Sequence, residues 1–285
     1  MASGPLAEDI RRRLGDLSPA ERKVARVLLS GYPSAGFETI AVLAERAAVS
    51  APTVIRFVNR LGYRGFPDFQ AALRAELDER NASPLTLYPS TAPAAHSMAE
   101  LGVGVGRETC EAITRTFAEL PPHDLERAVA LLSDRKRRVT LVGGRFTHLL
   151  AQYLGLHLMQ LRDDVRFLPD RDVERTAVLT ALTRRDVLVV FDFRQYEPDK
   201  TALARLVQEA GGKVVLFTDR WLSPATVHAE VVLPNQVAAS SPYDSLVPTL
   251  ATVEAVVSCV VAAMGEDAHD RMERGERTAR AMGLY

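Results

Sequence analysis

Four stretches carry side chains whose types and spacing could do chemistry. The first runs from Ser50 through Ala51-Pro52-Thr53-Val54-Ile55-Arg56-Phe57-Val58-Asn59-Arg60 to Leu61-Gly62. At helical spacing Val54, Phe57, Val58 and Leu61 form an apolar stripe, and Thr53, Arg56 and Arg60 form another. Arginine pairs bidentately with guanine edges, and threonine or arginine can hold a backbone phosphate, so such a helix suits the major groove of duplex DNA. The second and third stretches are Gly143-Gly144-Arg145-Phe146-Thr147 and Asp192-Phe193-Arg194-Gln195-Tyr196, each following an apolar run. Their guanidinium groups offer charge-assisted bonds to an anion, and their carboxylate offers an acceptor to hydroxyl groups. The fourth, Ser240-Ser241-Pro242-Tyr243-Asp244-Ser245, lies where a long helix begins.

The elements around the first stretch follow from short-range signals. Ser18-Pro19-Ala20-Glu21 is a capping box with proline at the first helical position, opening a helix lined by Val24, Val27 and Leu28. A second helix starts near Thr39, with Ile40, Leu43 and Ala44 on its inner side, and Ala47-Ala48-Val49-Ser50 makes a tight connection. Ser50 is placed to cap the third helix, proline is tolerated in its first turn, and Gly62 stops it. Two short helices, a small-residue turn and a Thr/Arg front describe a helix-turn-helix.

Residues 98–285, with a core at about 120–265, read differently. Helical patterns at His123–Asp134, Phe146–Leu161, Val173–Leu182, Pro198–Ala210 and Asp244–Met264 alternate with apolar runs. The runs are Arg138–Val142, Val165–Leu168, Asp186–Phe191, Lys213–Phe217 and Glu230–Leu233. Alternation of this kind implies a doubly wound parallel sheet in a three-layer α/β/α sandwich, with ligands at the carboxyl ends of the strands. Residues 80–97, rich in Pro, Ser, Thr and Ala without a period, read as a linker behind an all-α domain at 1–79.

The chain has 285 residues, 47% hydrophobic and 25% charged, which excludes a disordered or collagen-like polymer. Its two cysteines, Cys110 and Cys259, are far apart and form no disulfide or zinc pattern, which fits a reducing cytoplasm. Met1–Ile10 lacks a basic region followed by an apolar core, and Val253–Gly265, interrupted by Glu254, reads as too short to span a bilayer. The net charge of −1 argues against bulk coating of nucleic acid, but it averages two unlike parts. Between Arg11 and Gly65 ten Lys and Arg face four Asp and Glu, so the excess of acid belongs to the remainder.

From Leu17 to Leu77 the chain closely resembles the amino-terminal domain of the RpiR/MurR family of bacterial transcriptional regulators. The resemblance rests on Leu-Ser-x-x-Glu-Arg-Lys at Leu17–Lys23, Val-Ser-x-x-Thr-Val-x-Arg-Phe at Val49–Phe57, and Leu-Gly-Tyr-x-Gly-Phe at Leu61–Phe66. It implies operator binding, usually as a dimer on a palindrome, with Arg64 and Gly65 near the DNA backbone. The region from about Leu120 to Gly265 resembles the sugar-isomerase (SIS) domain, which in that family senses phosphosugars.

Its site departs from the family pattern. Arg145 stands in place of a glycine in Gly-x-Gly-x-Ser, with Thr147 keeping a hydroxyl. Asp192-Phe193-Arg194-Gln195-Tyr196 replaces the phosphate-holding Ser-x-Ser-Gly-x-Thr. Three readings follow: Arg145 and Arg194 converge on an anion; Asp192 pairs with one of them and closes the site, leaving a dimerisation module; or Asp192 binds the hydroxyls of an unphosphorylated ligand. Gly143, Gly144, Arg145, Thr147, Asp192 and Arg194 are the candidate effector residues, joined by Ser240, Ser241 and Ser245, which resemble the family's serine-containing segment or simply cap a helix. The expected effector is a sugar phosphate, a sugar acid or another anion.

Catalysis is not expected. His148 and His157 lie nine residues apart on one predicted helix and face opposite ways, Glu254 sits mid-helix, and His228 reads as a surface residue. No dinucleotide fingerprint, phosphate loop or nucleophile elbow is present, and neither cofactor nor metal is implied. The expectation is a cytoplasmic regulator with no membrane partner, a homodimer or homotetramer on double-stranded operator DNA.

Overall fold

The computed structural model describes residues 6–81, 83–88 and 97–284. The chain divides into two compact units, Met1–Ala82 and Ser83–Tyr285.

The first unit is all-helical: α1 (Leu6–Arg13), α2 (Pro19–Ser30), α3 (Ile40–Arg46), α4 (Ala51–Arg60) and α5 (Phe66–Asn81). Both halves of the capping box at α2 form: Glu21 N–H donates to Ser18 Oγ at 3.3 Å, and Ser18 N–H to Glu21 Oε2 at 2.8 Å. The Thr39 hydroxyl caps α3 by accepting Val42 N–H. Val24, Leu28, Leu43, Val54, Phe57, Val58, Phe69 and Leu73 close a single core, so each helix is held by one buried stripe rather than by its own propensity. Helix α5 runs to Asn81, and α6 (Pro84–Leu87) follows. Both intrude on the stretch expected as a linker; residues 82 and 89–96 of it lie outside the described residues.

The second unit opens with α7 (Met98–Glu119) and α8 (Pro122–Ser133). Then come β1 (Arg138–Gly143), α9 (His148–Leu161), β2 (Val165–Phe167), α10 (Asp172–Thr180), β3 (Asp186–Phe191) and α11 (Pro198–Glu209). It closes with β4 (Lys213–Asp219), β5 (Val231–Asn235), α12 (Val247–Met264) and α13 (Glu266–Ala281). The strands form one parallel sheet in the order β2-β1-β3-β4-β5. Side-chain alternation sends Val139, Leu141, Val187, Val189, Phe191, Val215 and Phe217 toward α8, α9 and α12. Leu188, Val190, Val214 and Leu216 pack on α11 and its neighbours. The result is a three-layer α/β/α sandwich. Successive connections leave β1 in opposite directions, so its end and that of β3 bound the crevice where such sheets take ligands.

Besides α13, which the sequence reading does not include, three features depart from that reading. Helix α7 was not read as an element because Gly102, Gly104 and Gly106 lower its propensity; its start was signalled by Ser97, whose hydroxyl accepts Glu100 N–H at 3.1 Å. Strand β4 continues two residues past Phe217, because Thr218 and Asp219 pair with Pro234 and Asn235. The third is a correction: α12 starts at Val247, so its 18 residues, with mean hydropathy 1.9, are long and apolar enough to cross a membrane by length and composition. In the fold α12 buries Thr249, Thr252, Val253, Val256 and Val260 and packs against α7, α8 and α9.

Candidate functional site

The turn between α3 and α4 is built by a backbone device. Ala48 adopts φ +49°, and the N–H groups of Ala48 and Val49 return to the carbonyls of Glu45 and Ala44, a double closure that ends α3 abruptly. The same pattern ends α4: Gly62, at φ +103°, and Tyr63 donate to Asn59 and Val58. Ser50 is the N-cap of α4 by position, but its side chain makes no capping bond. Pro52 has no N–H to offer, and Thr53 N–H donates to the Ser50 carbonyl at 2.9 Å instead.

The burial of α4 corrects the expected front. Thr53 is buried at 5% exposure; its hydroxyl lies 3.0 Å from Ser50 Oγ and accepts Arg56 Nη2 at 2.9 Å. It therefore orients Arg56 rather than standing in the groove, because it sits at the edge of the apolar stripe and the core closes over it. The exposed face consists of Ala51, Pro52, Ile55, Arg56, Asn59 and Arg60. Residue type alone does not single out Pro52, Ile55 and Asn59; the complement of Val54, Phe57, Val58 and Leu61 on a helical wheel does.

Arg60 is engaged: its Nη1 donates to Glu21 Oε2 at 2.9 Å and to the Asp16 carbonyl at 3.2 Å. Burial raises the Glu21 pKa, but hydrogen bonds from Ser18 and the Arg60 charge outweigh it and hold the carboxyl below its usual value. Arg64 is 91% exposed, with its Nε 3.7 Å from Asp68. Among the described residues, Arg56 has no carboxylate partner.

In the second unit the loop after β1 is tightly fitted. Thr147 Oγ1 donates to the Phe191 carbonyl at 2.9 Å and accepts Gly144 N–H at 2.8 Å, tying the ends of β1 and β3 together. A side chain at Gly144 would put its Cβ 2.7 Å from Glu197 Oε1. That carboxylate accepts Arg145 N–H at 3.2 Å and, through Oε2, the Lys200 ammonium at 2.7 Å. A carboxylate from the start of α11 thus lies over the glycine turn between β1 and α9, in a place that suits an anion.

The two arginines do not converge, which corrects the expected clamp. Arg145 Nη2 donates to Gln195 Oε1 at 2.8 Å on the exposed rim. The Arg194 side chain is buried; it pairs with Asp244 at 2.5 Å, and its guanidinium stacks on Trp221 with the carbon 4.6 Å from the ring centroid. Asp192 takes its partners elsewhere. It is buried, accepting the Ser223 hydroxyl and Glu197 N–H, so each of its oxygens already has a partner within the fold. The third loop is likewise self-bonded: Ser240 donates to Glu108 on α7, Ser241 bridges to Tyr243, and Ser245 accepts Val247 N–H at 3.3 Å, a turn at the entry to α12.

Asp219, at the end of β4, was passed over in the sequence. It is fully buried and accepts from Tyr196 Oη and Arg194 N–H, each at 2.6 Å, and Trp221 N–H at 2.9 Å. A carboxylate at a strand's carboxyl end was the available signal. Burial pushes both Asp192 and Asp219 up to about 6, against the hydrogen bonds they accept. A carboxyl raised in the fold contributes stability that is present below its unfolded value and is lost as the pH rises through about 6. The second unit should therefore resist urea better at pH 5 than at pH 7, with a flatter profile in Asp219→Asn. Asp199 and Glu230, held low by Lys200 and by Lys213 with Arg127, act in the opposite sense only below their ordinary range. A urea midpoint that falls steadily from pH 7 to pH 5 would refute this assignment.

The residues set aside for catalysis have local partners. His148 Nδ1 lies 2.9 Å from the Arg145 carbonyl, and His157 packs edge-on against Tyr153. Tyr153 Oη donates to Glu254 at 3.1 Å, and His228 meets Gln208. Among the described residues no group of three His, Cys, Asp or Glu side chains is placed to hold a metal ion.

Residues 4–80 match the helix-turn-helix domain of the rpiR family, and residues 131–259 match the SIS domain. The chain thus joins an rpiR-family helix-turn-helix domain to a SIS domain. It is 27% identical over 274 residues to the HTH-type transcriptional regulator HexR of Pseudomonas aeruginosa, covering 94% of this chain and 93% of that one. It is 31% identical over 225 residues to the bifunctional protein glk of Paraburkholderia xenovorans, covering 76% of this chain; it spans about one third of the length of such bifunctional relatives.

Among solved structures, the chain is similar to the sugar isomerase domain of an RpiR transcription factor from Sphaerobacter thermophilus. The TM-score is 0.58 and the identity 24%, covering 62% of this chain and 98% of that one. It is also similar to Vibrio vulnificus NanR complexed with ManNAc-6P, with a TM-score of 0.54 and 17% identity over 97% and 98% of the two chains. At these identities the likeness speaks to the fold.

Proposed function

We propose that this chain is a cytoplasmic transcriptional regulator that binds double-stranded operator DNA through α4. The observation that carries the reading is the outward face of α4, which presents Arg56 and Asn59 with no acidic residue on the helix. The SIS unit pairs subunits into a homodimer or homotetramer, so two copies of α4 meet half-sites about 34–36 Å apart or multiples of that. The function is regulatory rather than catalytic and calls for no membrane partner, metal or cofactor. Ser50, Arg56, Arg60 and Arg64 are the DNA-contacting residues, with Thr53 acting through Arg56.

Fluorescence anisotropy with duplexes tiled across the flanking intergenic DNA tests this. One duplex should bind preferentially, and its log affinity should fall linearly with log salt, by about 0.9 per phosphate contacted. Binding that is absent at low salt, or indifferent to salt, would refute the reading.

The SIS unit is read as responding to a small sugar-derived or anionic metabolite at the carboxyl ends of β1 and β3. Gly143, Gly144, Arg145 and Thr147 form one wall, and the segment from Asp192 to Arg194 with Ser240, Ser241 and Ser245 forms the other. Ligand binding shifts operator affinity to the extent that it favours one arrangement of the reading helices. A second reading, a SIS unit that only dimerises, is favoured by one observation: Glu197 and Asp192 already take the N–H groups of Arg145 and Glu197. A thermal-shift series of sugar phosphates, sugar acids and neutral sugars separates the two. Stabilisation by any of them supports sensing, and a flat response across the series supports pairing alone.

A further inference from the structure

Helix α4 carries an apolar feature on the side it turns to solvent. Val54, Phe57 and Val58 are fully buried, whereas Ile55 is 39% exposed. Residues three apart on a helix are neighbours, so Pro52 and Ile55 form a short apolar ridge beside a polar ridge of Arg56 and Asn59. The polar ridge matches base edges: arginine pairs with guanine O6 and N7, and asparagine pairs with adenine N6 and N7. The apolar ridge matches the methyl group of thymine, the apolar group that base pairs display in the major groove. Cations on the same unit, Arg56 on this face and Arg64 at its end, complement the phosphates that flank such a groove.

We propose that Ile55 is a specificity-determining residue that packs against a thymine 5-methyl group in each half-site. This rests on the reading of α4 as the DNA-contacting helix and adds a contact that the polar residues of the helix do not supply. Removing one methyl group from a buried apolar contact costs about a threefold to fivefold loss of affinity.

The test uses the full-length chain. Duplexes are first selected from a random-sequence library with the wild-type protein. Each thymine of the selected site is then replaced, one at a time, by deoxyuridine, which lacks only the methyl group. Affinities are measured for wild type, Ile55→Val and Ile55→Ala. One thymine per half-site should show the threefold to fivefold preference over deoxyuridine in wild type, a smaller preference in Ile55→Val, and none in Ile55→Ala. Ile55 lies outside the core, so melting of the first unit should be nearly unchanged in both variants, which separates lost contact from lost fold.

The proposal is overturned if deoxyuridine is tolerated at every position by the wild type. It is equally overturned if Ile55→Ala keeps the wild-type preference at the sensitive position. Failure to enrich any duplex would fell the DNA reading itself, a different and recognisable result.

Discussion

Arg56→Ala is expected to weaken operator binding by about 1–3 kcal/mol, roughly fivefold to 150-fold, while leaving the first unit folded. The side chain projects from the exposed face of α4, and its guanidinium is steadied by the Thr53 hydroxyl, which accepts Nη2 at 2.9 Å. Its guanidinium has no carboxylate partner among the described residues, so meeting DNA does not require an internal ion pair to break. Arg60 differs in this respect. It must leave Glu21 to reach DNA, and its alanine variant should lose less affinity and also loosen the start of α2. Arg56→Lys separates the two modes of contact: a phosphate contact survives the change, whereas bidentate pairing with guanine does not. Anisotropy titrations against the selected site and a scrambled duplex, at two salt concentrations, provide the readout. If Arg56→Ala binds both duplexes as wild type does, Arg56 does not contact DNA.

Gly143→Ala is expected to destabilise the second unit by about 2–4 kcal/mol and to lower its melting temperature by roughly 5–15 °C. The added Cβ would lie 2.5 Å from His148 N and 2.6 Å from the carbonyl carbon and oxygen of Thr147. These are backbone atoms at the head of α9, and α9 is held against β1 by Leu150, Leu154 and Leu158, all within the main core. The clash cannot be relieved by a rotamer change. It forces the turn away from the sheet and strains the Thr147 bonds to Gly144 and Phe191. Gly106→Ala is the control, since no atom lies within 4 Å of the added Cβ and the site is inside helix α7. That variant should be neutral or stabilising by up to about 1 kcal/mol. Differential scanning calorimetry on both variants reads the comparison, and equal melting of the two would refute the packing argument. Loss of the effector response in Gly143→Ala at temperatures where the unit remains folded would connect the turn to sensing.

The candidate sites were legible in the sequence to different depths. Ser18 and Glu21, Thr39, and Gly62 announce helix ends because capping is satisfied within three or four residues, and the structure forms each of those bonds. The run Asp186–Phe191 reads as a buried strand because every residue on both its faces must leave water. The front of α4 was legible only in part. Thr53 is polar and falls in register with Arg56, yet it lies at the margin of the apolar stripe, and the packing of neighbouring helices decides on which side of the surface it falls. Helix α7 was hidden by its three glycines; it persists because Ala112 and Thr116 are buried against the rest of its unit and Thr116 accepts Gln236 N–H.

By itself, the sequence determined that this chain has a helical, basic reading head followed by an alternating α/β unit, and roughly where each element begins and ends. Those properties depend on caps, periods and apolar runs that neighbouring residues supply. The tertiary structure alone decided which polar groups remain available to a partner. Arg194 meets Asp244, 50 residues away. Asp192 meets Ser223, 31 residues away, and the Glu197 carboxylate settles over a glycine turn more than 50 residues before it. A charge in a low-dielectric fold takes whichever counter-group the chain brings within reach, and that choice is made by the closing of the sheet rather than by spacing along the sequence.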